Sequence, residues 1–232
     1  ETNGVNVDPN YPSASQLRSY AVGLNDKATP VSAVTTDFEG QSRSSTTPDI
    51  GADEYTPPAK DIAVTSILTD DISSCGQTAQ TLSVIIQNSG TQSQTNIPVR
   101  LEISGAISRT LNVTYAPNLA SGASDTIVFS SFNTSPGGNI SFKAFSRLLG
   151  DTVGFNDTLE AGPISINVLP GQPNTTNATL CAGDDGILVA QGTATIYEWY
   201  DEAAGGTLVT TNDTLSLTNV SQTDTFYVES YD

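Results

Sequence analysis

The chain has no histidine, no methionine, two cysteines in 232 residues, and only 8 Lys and Arg against 25 Asp and Glu. Each shortage excludes something. Without histidine, the commonest general base and the commonest metal ligand are both missing. Two cysteines without histidine make no zinc site. A net charge of −17 argues against nucleic acid, which needs a basic face to displace counterions. It argues equally against docking on anionic lipid. Its plainest role is to keep an exported surface soluble. No apolar run is long enough to cross a bilayer, so no membrane insertion is expected. The first residue is Glu1 and no secretory leader is visible. The expectation is a processed or truncated chain whose export signal, if any, lies upstream.

What is present falls into three parts. Residues 1–57 are rich in Pro, Asn, Asp and Ser, with short apolar runs such as Tyr20-Ala21-Val22. They are too short and too polar to bury a core of their own and should lean on further coils. Thr56-Pro57-Pro58-Ala59-Lys60 reads as a stiff polyproline-type linker. Residues 58–168 alternate with period two: Leu82, Val84 and Ile86; Val99, Leu101 and Ile103; Ile140, Phe142 and Ala144. Turn clusters Asn88-Ser89-Gly90 and Pro136-Gly137-Gly138 punctuate them. This predicts an antiparallel β-sandwich with almost no helix. A second linker starts at Val168, and residues 169–232 form a third, smaller β-rich part.

Three resemblances follow from quoted motifs. Val34-Thr35-Thr36-Asp37-Phe38-Glu39-Gly40 followed by Pro48-Asp49-Ile50-Gly51-Ala52-Asp53-Glu54-Tyr55 resembles the closing coil of right-handed parallel β-helix proteins. It implies that the chain begins inside a β-helix and is part of a larger protein. The order from Asp61-Ile62-Ala63-Val64 through Asn88-Ser89-Gly90-Thr91 to Phe155-Asn156-Asp157-Thr158 resembles the bacterial cell-adhesion-related (CARDB) Ig-like domain. From Ala178 to Ser230, with Cys181-Ala182-Gly183 and Tyr197-Glu198-Trp199-Tyr200-Asp201, the chain resembles the CHU-type Ig-like repeats of secreted Bacteroidota proteins. That likeness makes Trp199 a buried core tryptophan between sheets. It also implies that a final strand lies beyond Asp232. The expected fold class is all-β: the end of a parallel β-helix followed by two Ig-like antiparallel sandwiches.

Candidate chemistry is sparse. Asp37, Glu39, Asp49 and Asp53, with Glu54, form an acidic group that could bind Ca²⁺, which wants about six to eight oxygens. No other cofactor is indicated, and Asp side chains capping tight turns are the plainer explanation. No nucleophile elbow, phosphate loop or metal-ligand spacing occurs, so no catalytic residue is assigned. Cys75 and Cys181 lie in different parts. Bridging them would need Cα atoms about 5.5 Å apart, so two unbonded, semi-buried thiols are expected.

One pattern recurs. Asp-Thr-aliphatic occurs at Asp125-Thr126-Ile127, Asp151-Thr152-Val153, Asp157-Thr158-Leu159 and Asp213-Thr214-Leu215, with Asp224-Thr225-Phe226 a looser fifth. It resembles the O-glycosylation acceptor of exported Bacteroidota proteins, implying glycans on Thr126, Thr152, Thr158 and Thr214. The alternative is turn chemistry, in which Asp-Thr ends a turn and enters a strand. In either case each Thr should face solvent and the next aliphatic should face inward.

The resemblances together imply a non-catalytic stalk segment of a large secreted adhesin at the outer cell surface. Its export would be by the type IX system, as in gliding bacteria. Its partners would be other domains of the same chain, the secretion and attachment machinery, and surface glycans. The competing expectations are accessory domains of a β-helix polysaccharide-degrading enzyme, or a carbohydrate-binding module using Tyr197, Trp199 and Tyr200. The burial expected of Trp199 disfavours the second of these.

Overall fold

The computed structural model describes residues 5–9 and 11–231. The chain is all-β. Apart from single 3-10 turns at Val22–Leu24 and Thr69–Asp71, the described residues form strands and loops. Residues 1–167 pack as one unit and 168–232 as a second.

The first unit holds seven long strands. They are β1 (Ile62–Ile67), β2 (Gln80–Asn88), β3 (Ile97–Gly105), β4 (Arg109–Tyr115), β5 (Ser124–Phe132), β6 (Gly138–Ser146) and β7 (Thr158–Ile166). They form two antiparallel sheets in the orders β1-β2-β5 and β4-β3-β6-β7. The alternation read from the sequence is the packing alternation. Leu82, Val84 and Ile86 of β2, Val99, Leu101 and Ile103 of β3, and Ile140, Phe142 and Ala144 of β6 all join one buried cluster. Phe132 and Phe142 meet edge to face at 6.3 Å within it.

The Asn88-Ser89-Gly90 turn shows why those residue types are there. Asn88 is fully buried, and its amide is fully used. Nδ2 donates to the carbonyls of Gln92 and Leu119, at 2.9 Å each, and Oδ1 accepts from Gly90 N–H. A buried amide left unpaired would cost far more than it returns. Gly90 lies against the incoming chain: a Cβ there would sit 2.8 Å from the Ala59 carbonyl oxygen and 2.9 Å from Asp61 N.

That close approach corrects the linker reading. Thr91 N–H donates to Pro58 O and Gln92 N–H to Ala59 O, while Ser89 and Gly90 N–H both reach Asp61 O. Pro58 and Ala59 are therefore hydrogen-bonded along the sandwich, where the sequence predicts a stiff linker. Tyr20 also packs on Phe155, with ring centroids 5.6 Å apart.

The described residues before Ile62 contain no strand, only isolated bridges such as Thr36–Ser42. Ala21 and Leu24 are their buried aliphatic side chains, beside Pro48 and Pro57. This coil has almost no apolar core.

The second unit has two three-stranded antiparallel sheets. Its strands are β8 (Asn174–Thr175), β9 (Gly186–Gln191), β10 (Ile196–Tyr200), β11 (Leu208–Thr210), β12 (Thr214–Leu217) and β13 (Tyr227–Tyr231), in the orders β11-β10-β13 and β12-β9-β8. Its core is small: Ala190, Tyr197, Trp199 and Leu215. Trp199 is 2 % exposed, as expected, and its indole N–H donates to Asn212 O at 3.0 Å.

The cysteines depart from expectation in one respect. Both are unbonded, but both are exposed instead of semi-buried. Each sits in a surface turn whose backbone is held by a local side chain: Cys75 N–H by Ser73 Oγ and Cys181 N–H by Asp184 Oδ2. Neither lies on a strand face that could turn it inward.

Candidate functional site

The acidic motif of the N-terminal coil is a hydrogen-bonding device. Asp37 Oδ1 accepts the backbone N–H groups of Glu39 and Gln41, and Oδ2 accepts that of Glu54. Asp49 takes Asp26 N–H at 2.6 Å and Tyr55 N–H at 2.7 Å. Glu54 takes Ser44 and Asp49 N–H and pairs with Arg43 at 3.4 Å. Three carboxylates thus cap seven backbone donors that no sheet or helix satisfies. Arg43 in turn donates to the carbonyls of Gly51 and Asp49. Tyr55 hydroxyl donates to Ala21 O, which ties the motif's end to the coil upstream of it.

The candidate Ca²⁺ residues are all placed by this arrangement. Asp37 and Asp49 are buried and spend their oxygens on backbone N–H. Glu39 pairs with Arg18. Asp53 is 1 % exposed with Arg18 Nε 3.5 Å away, and neither of its oxygens makes a hydrogen bond. Burial pushes the Asp53 pKa up, with Arg18 opposing. Burial also works against ionised Asp37, but its backbone donors outweigh it and hold that pKa below the ordinary carboxylate value. Among the described residues no group of three His, Cys, Asp or Glu is disposed to hold a metal ion. Turn capping is the role the geometry supports.

A second carboxylate group was not read from the sequence. Asp61 enters β1 fully buried and meets the loop before β7. Asn156 Nδ2 donates to its Oδ1 at 2.9 Å, while Asp61 Oδ2 and Asn156 Oδ1 are both buried without partners. Asp151 accepts Ile62 N–H at 2.7 Å and Val153 N–H at 3.0 Å. Ser146 Oγ, which also donates to Ile62 O, lies 3.1 Å from Asp157 Oδ1. Burial, with repulsion from Asp151, raises both Asp61 and Asp157 to about 6, against the Asn156 and Ser146 hydrogen bonds. The loop is thereby clasped to the first strand. Its partners lie up to 95 positions apart, so no local motif announces them.

Two of the four Asp-Thr-aliphatic triplets, those at Thr126 and Thr152, have the full outward-inward arrangement expected of them, and the other two have it in part. Thr126, Thr152 and Thr158 are exposed and Thr214 is half-buried. Ile127, Val153 and Leu215 are buried, and Leu159 is half-buried. The aspartates differ in role. Asp125 holds Thr126 N–H and accepts the Tyr115 hydroxyl, Asp151 and Asp157 build the clasp, and Asp213 offers its carbonyl to Ala190 N–H.

The three residues named for a carbohydrate site do not share a surface. Tyr197 and Trp199 are core, and only Tyr200 is on the outer face. A shallow depression on the four-stranded sheet, lined by Glu102, Ser104, Lys143 and Glu160, holds charges that neutralise one another. Lys143 pairs with Glu160 at 2.8 Å, and Arg100 with Glu102 at 2.8 Å.

Comparison with known proteins agrees with the two β-rich parts. Residues 59–145 match the CARDB family model, and residues 170–232 match that of the CHU_C-associated Ig-like domain. No curated protein matches the chain. One similar solved structure is the NMR structure of a domain from Methanosarcina acetivorans, provisionally named a cell surface protein. It is 21 % identical, covers 47 % of this chain and 92 % of its own, and has a TM-score of 0.36. That likeness is too loose to carry an argument. One segment of the chain thus matches the CARDB model and a second, after it, matches the CHU_C-associated Ig-like model.

Proposed function

We propose that the chain is a non-catalytic structural segment of a larger secreted cell-surface adhesin, a stalk that holds a binding or enzymatic head away from the cell. The observation that carries this reading is the tandem of two β units, each with its own buried cluster, matching CARDB and CHU_C-associated models. Modules that fold on separate cores suit a stalk, because each resists unfolding alone.

Finer features belong to the same proposal. The coil before Ile62 would close a parallel β-helix. In support, its carboxylates hold backbone N–H groups that no strand pairs, a task a closing coil would also have to perform. Export by the type IX system and attachment at the outer surface rest on the Bacteroidota resemblance. Thr126, Thr152 and Thr158 have the exposed hydroxyls that an O-glycan acceptor needs. Thr152 and Thr158 flank the clasp loop, where glycans would shield the β7 edge from proteases and from pairing with other strands.

Antibodies against residues 59–232 should label intact cells of the native host, and in-frame removal of these residues should lower attachment to surfaces while export of the rest continues. Labelling only after lysis, or unchanged attachment, overturns the reading. Glycopeptide mass spectrometry on protein from that host tests the threonines. Unmodified Thr126, Thr152, Thr158 and Thr214 would leave the motif as turn chemistry.

A further inference from the structure

Residues 148–232 contain no lysine and no arginine, and residues 168–232 carry nine Asp and Glu. The second unit therefore has no internal counter-ion for any carboxylate. That matters most on the outer face of β10 and β13. Within β10, Tyr197 and Trp199 point into the core, so Ile196, Glu198 and Tyr200 point out. Their partners on β13 are Tyr231, Glu229 and Tyr227 respectively. Directly opposed residues of an antiparallel pair share a face. The outer surface thus presents three rows: Ile196 with Tyr231, Glu198 with Glu229, and Tyr200 with Tyr227. Ile196, Tyr227 and Tyr231 are each more than 40 % exposed.

One feature of these rows is costly to the isolated sheet. Like charges directly opposite one another destabilise a strand pair, yet Glu198 faces Glu229. Each is met only by a tyrosine: Tyr200 hydroxyl donates to Glu198 at 2.7 Å and Tyr231 hydroxyl to Glu229 at 2.5 Å. Those hydrogen bonds aim both phenols at the carboxylates and hold the phenolic protons in place. What the face lacks is a cation. An ammonium or guanidinium between the two glutamates would remove their repulsion, and its stem and charge would lie against tyrosine rings, which attract cations. A neutral sugar would stack on the rings but leave the paired charges uncompensated.

We propose that the outer face of β10 and β13 is a docking surface for a basic protein segment, with a Lys or Arg side chain seated at Glu198 and Glu229 between the flanking tyrosines. The site is distinct from the Tyr197/Trp199 pair and does not depend on the stalk reading.

The test is an NMR titration of the isotope-labelled full chain with an arginine hexapeptide at physiological salt, beside an uncharged Gly-Ser hexapeptide and a β-linked glucose hexamer. The expected result is saturable shifts at Glu198, Tyr200, Tyr227 and Glu229, seen only with the basic peptide. Replacing Glu198→Gln with Glu229→Gln should weaken binding about tenfold, equivalent to about 1.4 kcal/mol. Asp184→Asn with Asp185→Asn removes the same charge from a turn in the same unit and should change the affinity less than about twofold. Since the glutamine pair relieves a repulsion, its melting temperature should not fall. Equal weakening by both double variants means diffuse attraction to an acidic protein and overturns the site. So does the absence of shifts in β10 and β13, or shifts there with the glucose hexamer alone.

Discussion

The coil before Ile62 and the sandwich after it solve one problem with opposite chemistry. Both must hold a chain whose backbone donors and acceptors leave water. The sandwich pairs its backbone in sheets and encloses Leu82, Leu101, Phe129, Phe142 and their neighbours. The coil has no ladder among its described residues and little apolar side chain to enclose. It satisfies its backbone with the carboxylates of Asp37, Asp49 and Glu54. Where the sandwich buries Asp61 and half-buries Asp157, it gives them few donors, and their pKa values rise to about 6. Asp37, with three backbone donors, moves the other way. Burial alone does not decide whether an acidic side chain stabilises a fold. The number of N–H groups aimed at it does.

The largest effect should come from the apolar side of this contrast. Phe142→Ala, at a side chain 2 % exposed and packed on Phe132, should cost about 3–5 kcal/mol in urea unfolding of the full chain. A loss below about 1 kcal/mol would mean that the sandwich core is not packed as a large aromatic in a core should be.

The coil should break through a polar residue instead. Asp49→Ala removes the acceptor of two partly exposed N–H groups, those of Asp26 and Tyr55, at about 0.5–1.5 kcal/mol each. Limited proteolysis should open the chain within residues 20–57, while the sandwich melts where it did before. If Leu24→Ala opened the coil further than Asp49→Ala, the coil would be apolar-held and the contrast would fail.

The pH dependence of the two regions should have opposite signs. Asp61 and Asp157 bind protons more tightly folded than unfolded. The stability they contribute therefore falls as pH rises from about 4, the unfolded value, through 6, and levels off above. Asp37 binds its proton less tightly folded, so its contribution is intact above about 4 and is lost as pH falls through its lower folded value. The sandwich should melt higher at pH 5 than at pH 7.5, and the coil should become protease-sensitive first below pH 4. Asp61→Asn imitates the protonated side chain and offers a donor where Asn156 Oδ1 has none. It should raise the melting temperature at pH 7.5 and not at pH 4.5. A variant less stable at both would show that the Asp61 charge is needed.

How legible all this was depends on distance along the chain. The strands were readable because Leu82, Val84 and Ile86 alternate within five residues, and the turn at Asn88-Ser89-Gly90 because its hydrogen bonds are local. The acidic motif drew notice as a cluster, but its partners could not be read. Asp49 caps Asp26, 23 positions upstream, and Asp61 meets Asn156, 95 positions on. Such pairings are set by how the chain is folded back, which no periodicity records. The tyrosine-glutamate face was within reach. Tyr227, Glu229 and Tyr231 alternate as plainly as any core strand, but the pairing that sets Glu229 opposite Glu198 joins positions 31 residues apart.

The smallest effect sharpens the comparison most cheaply. Calcium should do nothing measurable to the coil. An ion there would need about six to eight oxygens. Asp37 and Asp49 already spend theirs on five backbone N–H groups, and Glu39 and Asp53 face the Arg18 guanidinium, which occupies the place of a cation. To bind, Ca²⁺ would have to expel Arg18 and strand those donors, which costs more than these few carboxylates recover. Melting curves and proteolysis of the full chain at pH 7.5 should therefore coincide with millimolar CaCl₂ and with EDTA. A calcium-dependent rise that Asp53→Asn abolishes would show that the carboxylates rearrange around an ion, and that the coil is held by metal rather than by its own amides.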